Sequence, residues 1–368
     1  GQAARVTVKE DTFVYNASAY RTPEGSVVEE LVKRLPGAQV SDDGTITING
    51  KEVKKVLVDG KEFMTGDTQT ALKNLPTSII DKIKAYDEKS DLAKVTGIDD
   101  GEEQTVLDFG IKRGMNKGIF ANADASIGTH DRYSERLMGA LFKDKTRIML
   151  MGNANNVNDR GFPGGGGGGR FGRGAQGLNT AKMLGANFNL EPTGKLKLDG
   201  SVRWNHSNGD TRIEQSSENF VSTAGSFSNS LNQSNTRSDS WNARMRLEWT
   251  PDSMTNIMFR PSFSYSTSDG RSAGTSASYN EDPYSYVSDP LSDEAISQMA
   301  DDGLMVNRRA NSSITYSDNT SVGAMLQLNR KLNSKGRNAT LRTDFTYGKS
   351  NSKSLSTSNV HLYQVEDM

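Results

Sequence analysis

The side chains that most often carry out chemistry are sparse in this sequence and lack the spacing of a catalytic or metal site. Its 368 residues include three histidines, His130, His206 and His361, and no cysteine. A zinc site needs several such ligands close together, and no arrangement of nucleophile, histidine and acid can be argued here. We therefore predict surface histidines, no resident metal or cofactor, and a protein that is not an enzyme.

A glycine run from Gly164 to Gly169 is the most conspicuous local motif. No Gly-Lys-Ser/Thr follows the run and it does not open a helix, so it is not a phosphate-binding loop. Its composition predicts a flexible loop. Arg170, Phe171 and Arg173 follow the run and are the candidate ligand loop, where they would touch an anionic or sugar ligand.

The acidic residues Asp99, Asp100, Glu102 and Glu103 form a second cluster whose side chains could bind a cation. Carboxylates at this density can bind calcium, can form a solvated loop, or can neutralise cations elsewhere in the fold. The solvated loop is favoured over calcium. The third alternative depends on where the arginines of the later strands point.

The stretch from Trp241 to Tyr265 predicts two long strands joined by a tight turn at Pro251-Asp252-Ser253. Apolar and polar residues alternate in both strands, so one face is apolar and the other polar, with Met258 as the exception. Strands of about ten residues can cross a bilayer when tilted, whereas strands in soluble sandwiches are nearer five or six.

The same alternation recurs through the chain after residue 116 and predicts nine strands: Ile119–Ile127, Ser134–Phe142, Ile148–Ala154, Leu184–Leu190, Leu196–Trp204, Trp241–Thr250, Ile257–Tyr265, Val322–Leu328 and Ala339–Tyr347. Long loops are expected over 155–177, 205–239 and 268–319, and they alternate with tight turns. Outer-membrane barrels place short turns on one side and long loops on the other. Trp249 near a tight turn, and Trp204, Trp241, Tyr265 and Tyr347 near the loops, predict two aromatic girdles.

These strands place five arginines on their polar side, which would face the lumen of a barrel: Arg203, Arg244, Arg246, Arg260 and Arg342. Buried cations need anionic partners. We therefore expect these arginines to pair with the acidic cluster, so that both sets are candidate contacts between an internal domain and the barrel.

The composition limits which classes of partner and fold are expected. The formal net charge is −1, which argues against nucleic acid. The hydrophobic content of 34% is low for an ordinary globular core but is compatible with strands that are apolar at every second position. No run of about 18 apolar residues predicts a transmembrane helix. A soluble secreted β-protein stays open as an alternative.

Residues 1–116 predict a compact α/β unit. Val27 to Leu35 have helical spacing, Asn49-Gly50 predicts a hairpin turn, Thr68 to Leu75 predicts a second helix, and Lys82–Tyr86 and Thr105–Ile111 predict strands.

Several short motifs of this unit resemble, in order, the plug domains of TonB-dependent outer-membrane receptors, most closely the branch called the outer-membrane β-barrel protein family. The motifs are Pro23–Gly25, Leu35–Gly37, Asp43–Lys51, Val58–Phe63, Lys73–Pro76 and Thr96–Glu102. The upstream regulatory-like domain and TonB-binding segment usual in that family are not found in this sequence.

The resemblance implies an α+β plug domain at 1–116, followed at 117–368 by the N-terminal portion of an antiparallel transmembrane β-barrel. A barrel that holds such a plug has about 22 strands, so nine strands would be less than half. The implied function is energy-coupled uptake of a scarce ligand, a metal chelate, glycan or peptide, through the outer membrane. The implied partners are outer-membrane lipid, the TonB complex and the extracellular ligand, with a surface lipoprotein as a further candidate. The alternative is a surface adhesin or binding scaffold without transport.

Overall fold

The computed structural model describes residues 5–41, 44–143, 145–157, 179–220 and 226–364. Two β-sheets account for most of this chain. The first is a mixed sheet within residues 6–111, here called the N-terminal unit together with its helices. The second is a nine-stranded antiparallel sheet within residues 118–362, here called the long sheet.

The sheet of the N-terminal unit has the order β1-β2-β7-β8-β5-β4-β3, with β6 paired to β5. Only the β5–β8 pair is parallel among these pairs. The strands are β1 Val6–Lys9, β2 Thr12–Asn16, β3 Ala38–Val40, β4 Ile46–Ile48, β5 Lys51–Val58, β6 Lys61–Glu62, β7 Ile80–Lys89 and β8 Glu103–Ile111. The Asn49-Gly50 turn joins β4 to β5 as predicted, because both residues adopt the positive φ that this turn requires.

Three α-helices lie beside this sheet: α1 Val28–Val32, α2 Thr68–Asn74 and α3 Asp91–Thr96, with short 3-10 turns at Ala17–Ala19 and Thr77–Ile79. Helix α1 is shorter than the predicted span of Val27 to Leu35, and α3 was not predicted. The core is closed by fully buried side chains such as Leu31, Leu72 and Phe109.

The long sheet is an up-and-down meander in which every strand pairs with its neighbours in sequence. Its strands are β9 Gly118–Ile127, β10 Tyr133–Lys143, β11 Thr146–Asn155, β12 Asn179–Thr193, β13 Leu196–Glu218, β14 Phe227–Asp252, β15 Thr255–Tyr279, β16 Met305–Lys331 and β17 Asn338–Leu362. Within the described residues, β9 and β17 are the two edges.

The register of the long sheet gathers large apolar side chains on one surface, here called the outer face. Trp204, Trp241 and Tyr265 lie side by side in one row, and Leu196, Trp249 and Ile257 in another. These rows are eight residues apart on β14, about 25 Å along the strand. The exposed outer residues include Leu137, Leu150, Leu184, Phe259, Phe263, Leu326, Leu341, Phe345 and Tyr347. The outer face is therefore a band of exposed apolar residues bounded by aromatic side chains.

The predictions of long loops over 205–239 and 268–319 are wrong for most of these residues. Residues 205–218 and 227–239 continue β13 and β14, and residues 268–279 and 305–319 belong to β15 and β16. The polar Ser- and Asn-rich composition misled the prediction, because these stretches form strands through continuous backbone pairing with their neighbours. We call this part of the sheet, beyond the outer apolar band, the extension.

The chain between β15 and β16 folds back on the extension. It contains a 3-10 turn at Pro283–Ser285 and helix α4 at Asp293–Asp301. Ile296 and Met299 of α4 pack against Tyr279 and Met305 in a small cluster separate from the main core. Tyr279 alternates in phase with Tyr265, so this segment covers the outer side of the extension.

No helix in the described part of the chain is long and apolar enough to cross a membrane.

Candidate functional site

The N-terminal unit packs against the inner face of the long sheet, and over β10 to β12 part of this contact is apolar. Met138, Met149, Met151 and Met183 are at most 5% exposed and belong to the same cluster as the core of the N-terminal unit. We expected a polar inner face, and at these four methionines that expectation is wrong. Methionine fills irregular space because its side chain is unbranched and flexible.

Two asparagines of β12 bind the backbone of the N-terminal unit. The Met64 N–H donates to Oδ1 of Asn187 over 2.9 Å, and Nδ2 of Asn189 donates to the Glu62 carbonyl over 3.0 Å. Both asparagines are buried, so these bonds satisfy polar groups that water does not reach. The sequence signal was an asparagine at alternate inner positions of a strand, which we did not use.

An arginine of β11 makes a further link that the sequence analysis missed. Arg147 donates through Nη1 to the Val58 carbonyl over 2.6 Å, and its Nη2 lies 3.5 Å from Oδ2 of Asp59. The turn after Val58 also positions Gly60, whose N–H donates to Asp108 over 3.0 Å. Burial raises the pKa of the Asp108 carboxyl above its usual value.

Arg203 and Arg244 reach the start of helix α2. Arg203 donates to the Asp67 carboxylate and to the Thr70 hydroxyl, and Arg244 donates to the carbonyl of Gly66. Asp67 also caps α2 by accepting the Thr70 N–H over 3.1 Å. The Asp67 carboxylate therefore caps the N-terminus of α2 and also binds an arginine of the long sheet.

Arg246 and Arg260 meet a second carboxylate, that of Asp91 in the first turn of α3. Arg246 lies 3.2 Å from Asp91, 2.9 Å from Glu248 and 3.6 Å from Asp199. Arg260 binds the other oxygen of Asp91. Asp91 thus lies between two arginines on neighbouring strands, whose mutual repulsion it reduces.

The fifth arginine and the acidic cluster are placed elsewhere. Arg342 pairs with Asp344 of its own strand over 3.1 Å. Asp99 accepts the Gly101 N–H and Asp100 binds the Ser90 hydroxyl.

Glu102 and Glu103 are exposed. The acids that meet the arginines are thus Asp67 and Asp91 rather than the acidic cluster. The physical reason is position, because each of these two acids lies at the start of a helix that faces the long sheet. The acidic cluster instead lies in the exposed loop after α3 and at the first residue of β8.

The remaining candidates do not assemble into a site. His206 pairs with Asp239 over 2.8 Å, His361 contacts Tyr363, and His130 is exposed. Among the described residues no group of three or more His, Cys, Asp or Glu is placed to hold a metal ion. The candidate ligand loop, Arg170, Phe171 and Arg173, lies outside the described residues.

No protein-family profile and no curated protein matches this chain, whereas several solved structures do match it. The structures that it resembles are outer-membrane receptors. The alcaligin outer-membrane receptor FauA from Bordetella pertussis is 10% identical with a TM-score of 0.31, and 97% of this chain covers 58% of that protein.

The ferripyoverdine receptor of the outer membrane of Pseudomonas aeruginosa is 11% identical with a TM-score of 0.31, and 93% of this chain covers 54% of it. The copper transporter OprC is 15% identical with a TM-score of 0.36, at 96% and 60% coverage. The chain thus spans a little over half the length of these proteins.

These matches are named as receptors and a transporter. Their TM-scores lie below 0.4, so the functional proposal below rests on the chain's own contacts.

Proposed function

We propose that this chain is the plug and the first strands of an energy-coupled uptake receptor of the outer membrane. In this proposal the N-terminal unit occludes the lumen of a barrel of about 22 strands, and an inner-membrane TonB complex pulls on it to admit an extracellular ligand. A surface lipoprotein is a possible further partner, by the resemblance described above.

The observation that carries the proposal is the charge pairing on the inner face. Arg203 and Arg260 have Asp67 and Asp91 of the N-terminal unit as their ion-pair partners among the described residues. The Arg203 side chain is 11% exposed and that of Arg260 is 38% exposed, so loss of the anion is unfavourable for both and more so for Arg203. The inner face is therefore built to hold the N-terminal unit, while the exposed apolar outer face suits lipid.

The length of the strands supports the same assignment. The apolar band measures about 25 Å along the strands, or about 20 Å in height at the tilt of membrane barrels, which is close to the height of their outward apolar band. Rows of tryptophan and tyrosine at its limits match their interfacial girdles. A soluble β-protein would leave this large exposed apolar surface in water, where such patches promote association.

A labelling experiment on the full-length receptor in cells tests transport. Ser201 is 6% exposed on the inner face, and its cross-strand neighbours Asn187 and Arg244 both bind the N-terminal unit. These 368 residues contain no cysteine, so Ser201→Cys introduces the only thiol of this part of the receptor, and any cysteine elsewhere in the full-length receptor is first replaced with serine. We expect a membrane-impermeant maleimide to label it in energised cells and much more slowly after the proton gradient is collapsed.

Thr236→Cys is the matched control, because Thr236 is exposed in the extension on β14, a strand that is paired on both sides, and should be labelled in both conditions. Equal protection of Ser201→Cys with and without the gradient would contradict plug movement.

Equal protection of Ser201→Cys in the two conditions would support the other candidate function, a binding scaffold without transport. The observation in its favour is the extension, in which paired strands carry a folded segment with α4 well beyond the apolar band. Such a platform can present a binding surface even if the N-terminal unit never moves.

A further inference from the structure

The inner face contains more positive charge than the long sheet itself neutralises. Arg246 has Asp199 and Glu248, and Arg342 has Asp344, all within the sheet. For Arg203, Arg244 and Arg260 on β13 to β15, as for Arg147 on β11, the partners among the described residues belong to the N-terminal unit. We call the three on β13 to β15 the inner arginines.

The inner arginines form a diagonal series across three neighbouring strands. Arg203 on β13 pairs in register with Asn242, two positions from Arg244 on β14. Arg244 pairs with Ser262, two positions from Arg260 on β15. Each step is about 8 Å, from one strand spacing and two residues, and leads from the extension toward the tight turns.

The guanidinium groups retain unused hydrogen-bond donors. The Nε atoms of Arg203 and Arg260 are buried and have no hydrogen-bond partner. A guanidinium offers five donors in a planar fork that matches the two oxygens of a carboxylate or phosphate. These groups therefore have capacity for an oxyanion beyond their present contacts.

The inner surface of β15 between Arg260 and the end of the extension carries no charged side chain. At alternate inner positions of β15 from Ser262 to Ser278, the sequence has only serine and glycine. The charged residues of that stretch, Asp269 and Arg271, alternate in phase with the outer face. An anionic group that passes along this wall would meet Arg260 as the first charge on β15.

We propose that the inner arginines bind carboxylate or phosphate groups of the ligand in succession once the N-terminal unit has withdrawn. This inference rests on the proposed function. Withdrawal removes Asp67 and Asp91 from Arg203 and Arg260, and the Gly66 carbonyl from Arg244, and leaves three guanidinium groups with unused donors on a wall of one charge sign. A ligand oxyanion compensates that loss, so the residues that hold the plug also select an anionic ligand.

Conductance of the full-length receptor in planar bilayers tests the inference, with the plug displaced by urea. We expect Arg203→Gln, Arg244→Gln and Arg260→Gln together to lower the ratio of chloride to potassium permeability roughly two- to tenfold, because a wall of one charge sign concentrates counter-ions. Inorganic sulfate should inhibit the chloride current in wild type and have little effect in the triple variant.

Two controls keep the result interpretable. Arg342→Gln with Asp344→Asn removes an ion pair with no net change in charge, and should leave the permeability ratio unchanged. Replacing all three inner arginines with lysine retains the charge and should retain the selectivity even where the glutamine variant folds poorly.

The failures of the two proposals are distinguishable. If urea opens no conductance in wild type, the plug assignment of the N-terminal unit is wrong. If conductance appears but the glutamine and wild-type proteins share one permeability ratio and one response to sulfate, the plug assignment stands and the oxyanion proposal is overturned.

Discussion

At the scale of single residues, two aspartates connect local helix formation to domain docking. Asp67 caps α2, and Asp91 occupies the first turn of α3 after the capping Ser90. Negative charge is favourable at a helix N-terminus because of the helix dipole. The same position directs each carboxylate at an arginine of the long sheet, so helix and interface stabilise each other.

Replacement of Asp91 by asparagine should loosen the N-terminal unit. The change leaves Arg260 without its charged partner and removes one of three from Arg246. We expect a loss of about 1–3 kcal/mol in docking free energy, as for an unpaired, partly buried charged group. Protease protection of the N-terminal unit in the full-length receptor, as a function of urea, measures this.

Asp99→Asn is the matched control for that prediction. Asp99 is exposed and accepts a hydrogen bond from Gly101 within its own loop, so its replacement should leave protection unchanged. Charge reversal of Glu102 and Glu103 should also have little effect. Loosening by these changes with none from Asp91→Asn would identify the acidic cluster as the anchor.

Asp108 provides a prediction with a defined pH dependence. Burial raises the pKa of its carboxyl above the ordinary 3.8. The folded state therefore holds the proton more tightly than the unfolded state, and stability falls as pH rises from 3.8 through the raised pKa. At neutral pH the Asp108 carboxyl is ionised, and the folded state bears the full desolvation cost of this buried charge.

Asp108→Asn should accordingly increase the hydrogen-exchange protection of β8 at neutral pH, since the amide oxygen can still accept the Gly60 N–H. The gain should vanish as the pH approaches 3.8. Lower protection in the variant at neutral pH would mean that the attraction of the Asp108 carboxylate to Arg147 and Lys84 outweighs its desolvation.

At the scale of elements, the sequence predicted those strands in which polarity alternates. The hairpin from Trp241 to Tyr265 was assigned correctly because its two faces meet different surroundings. The extension was not, since stretches such as Ser266 to Ser276 alternate serine and glycine with residues that are mostly polar. Period-2 analysis detects a difference between faces, and both faces of the extension are polar.

The contacts between the two sheets were predictable in kind but not in partner. Alternation placed Arg203 and Arg260 on the inner face, and burial of cations required acids. Which acids they meet depends on how α2 and α3 lie against the long sheet, which is a tertiary relation with no local pattern. The methionines of β10 to β12 were missed for the same reason.

The folded segment after β15 should depend on the contacts of α4. Ile296 is 3% exposed and packs in the small cluster with Tyr279 and Met305. Ile296→Ala should destabilise this segment by about 2–4 kcal/mol through lost burial and a cavity. Limited proteolysis within 280–304 should increase, while membrane insertion is unaffected.

Gln298→Ala serves as the control, because Gln298 is exposed on the same helix. Equal cleavage of the two variants would show that the cluster does not hold the segment in place.

At the scale of the whole molecule, the long sheet separates two environments. The apolar band faces outward between the aromatic rows, and the inner face holds partly exposed arginines and buried asparagines against the N-terminal unit. This is the reverse of a soluble sandwich, in which the inner face is the apolar one. The distribution of polarity across the sheet, more than the strand count, supports a membrane location.

Leu326→Arg tests that location directly. Leu326 is 37% exposed on the outer face of β16 within the apolar band, where arginine should cost about 2–4 kcal/mol if the face contacts lipid. Folding into lipid vesicles, followed by heat modifiability on gels, reports the loss. Ile314→Arg, on the same strand and face but in the extension, should be tolerated. Equal tolerance of both changes would favour a soluble β-protein.

The length of the extension sets the distance between a captured ligand and the bilayer surface. From Ser240 to Phe227, β14 continues beyond the aromatic row for 14 residues, or about 30 Å in height when tilted. Electrostatic screening in physiological salt acts over about 8 Å. A ligand that arrives at the tips of these strands is therefore beyond the field of the charged headgroups. Its rate of capture should follow the charge of the protein rim and be independent of the charge of the membrane.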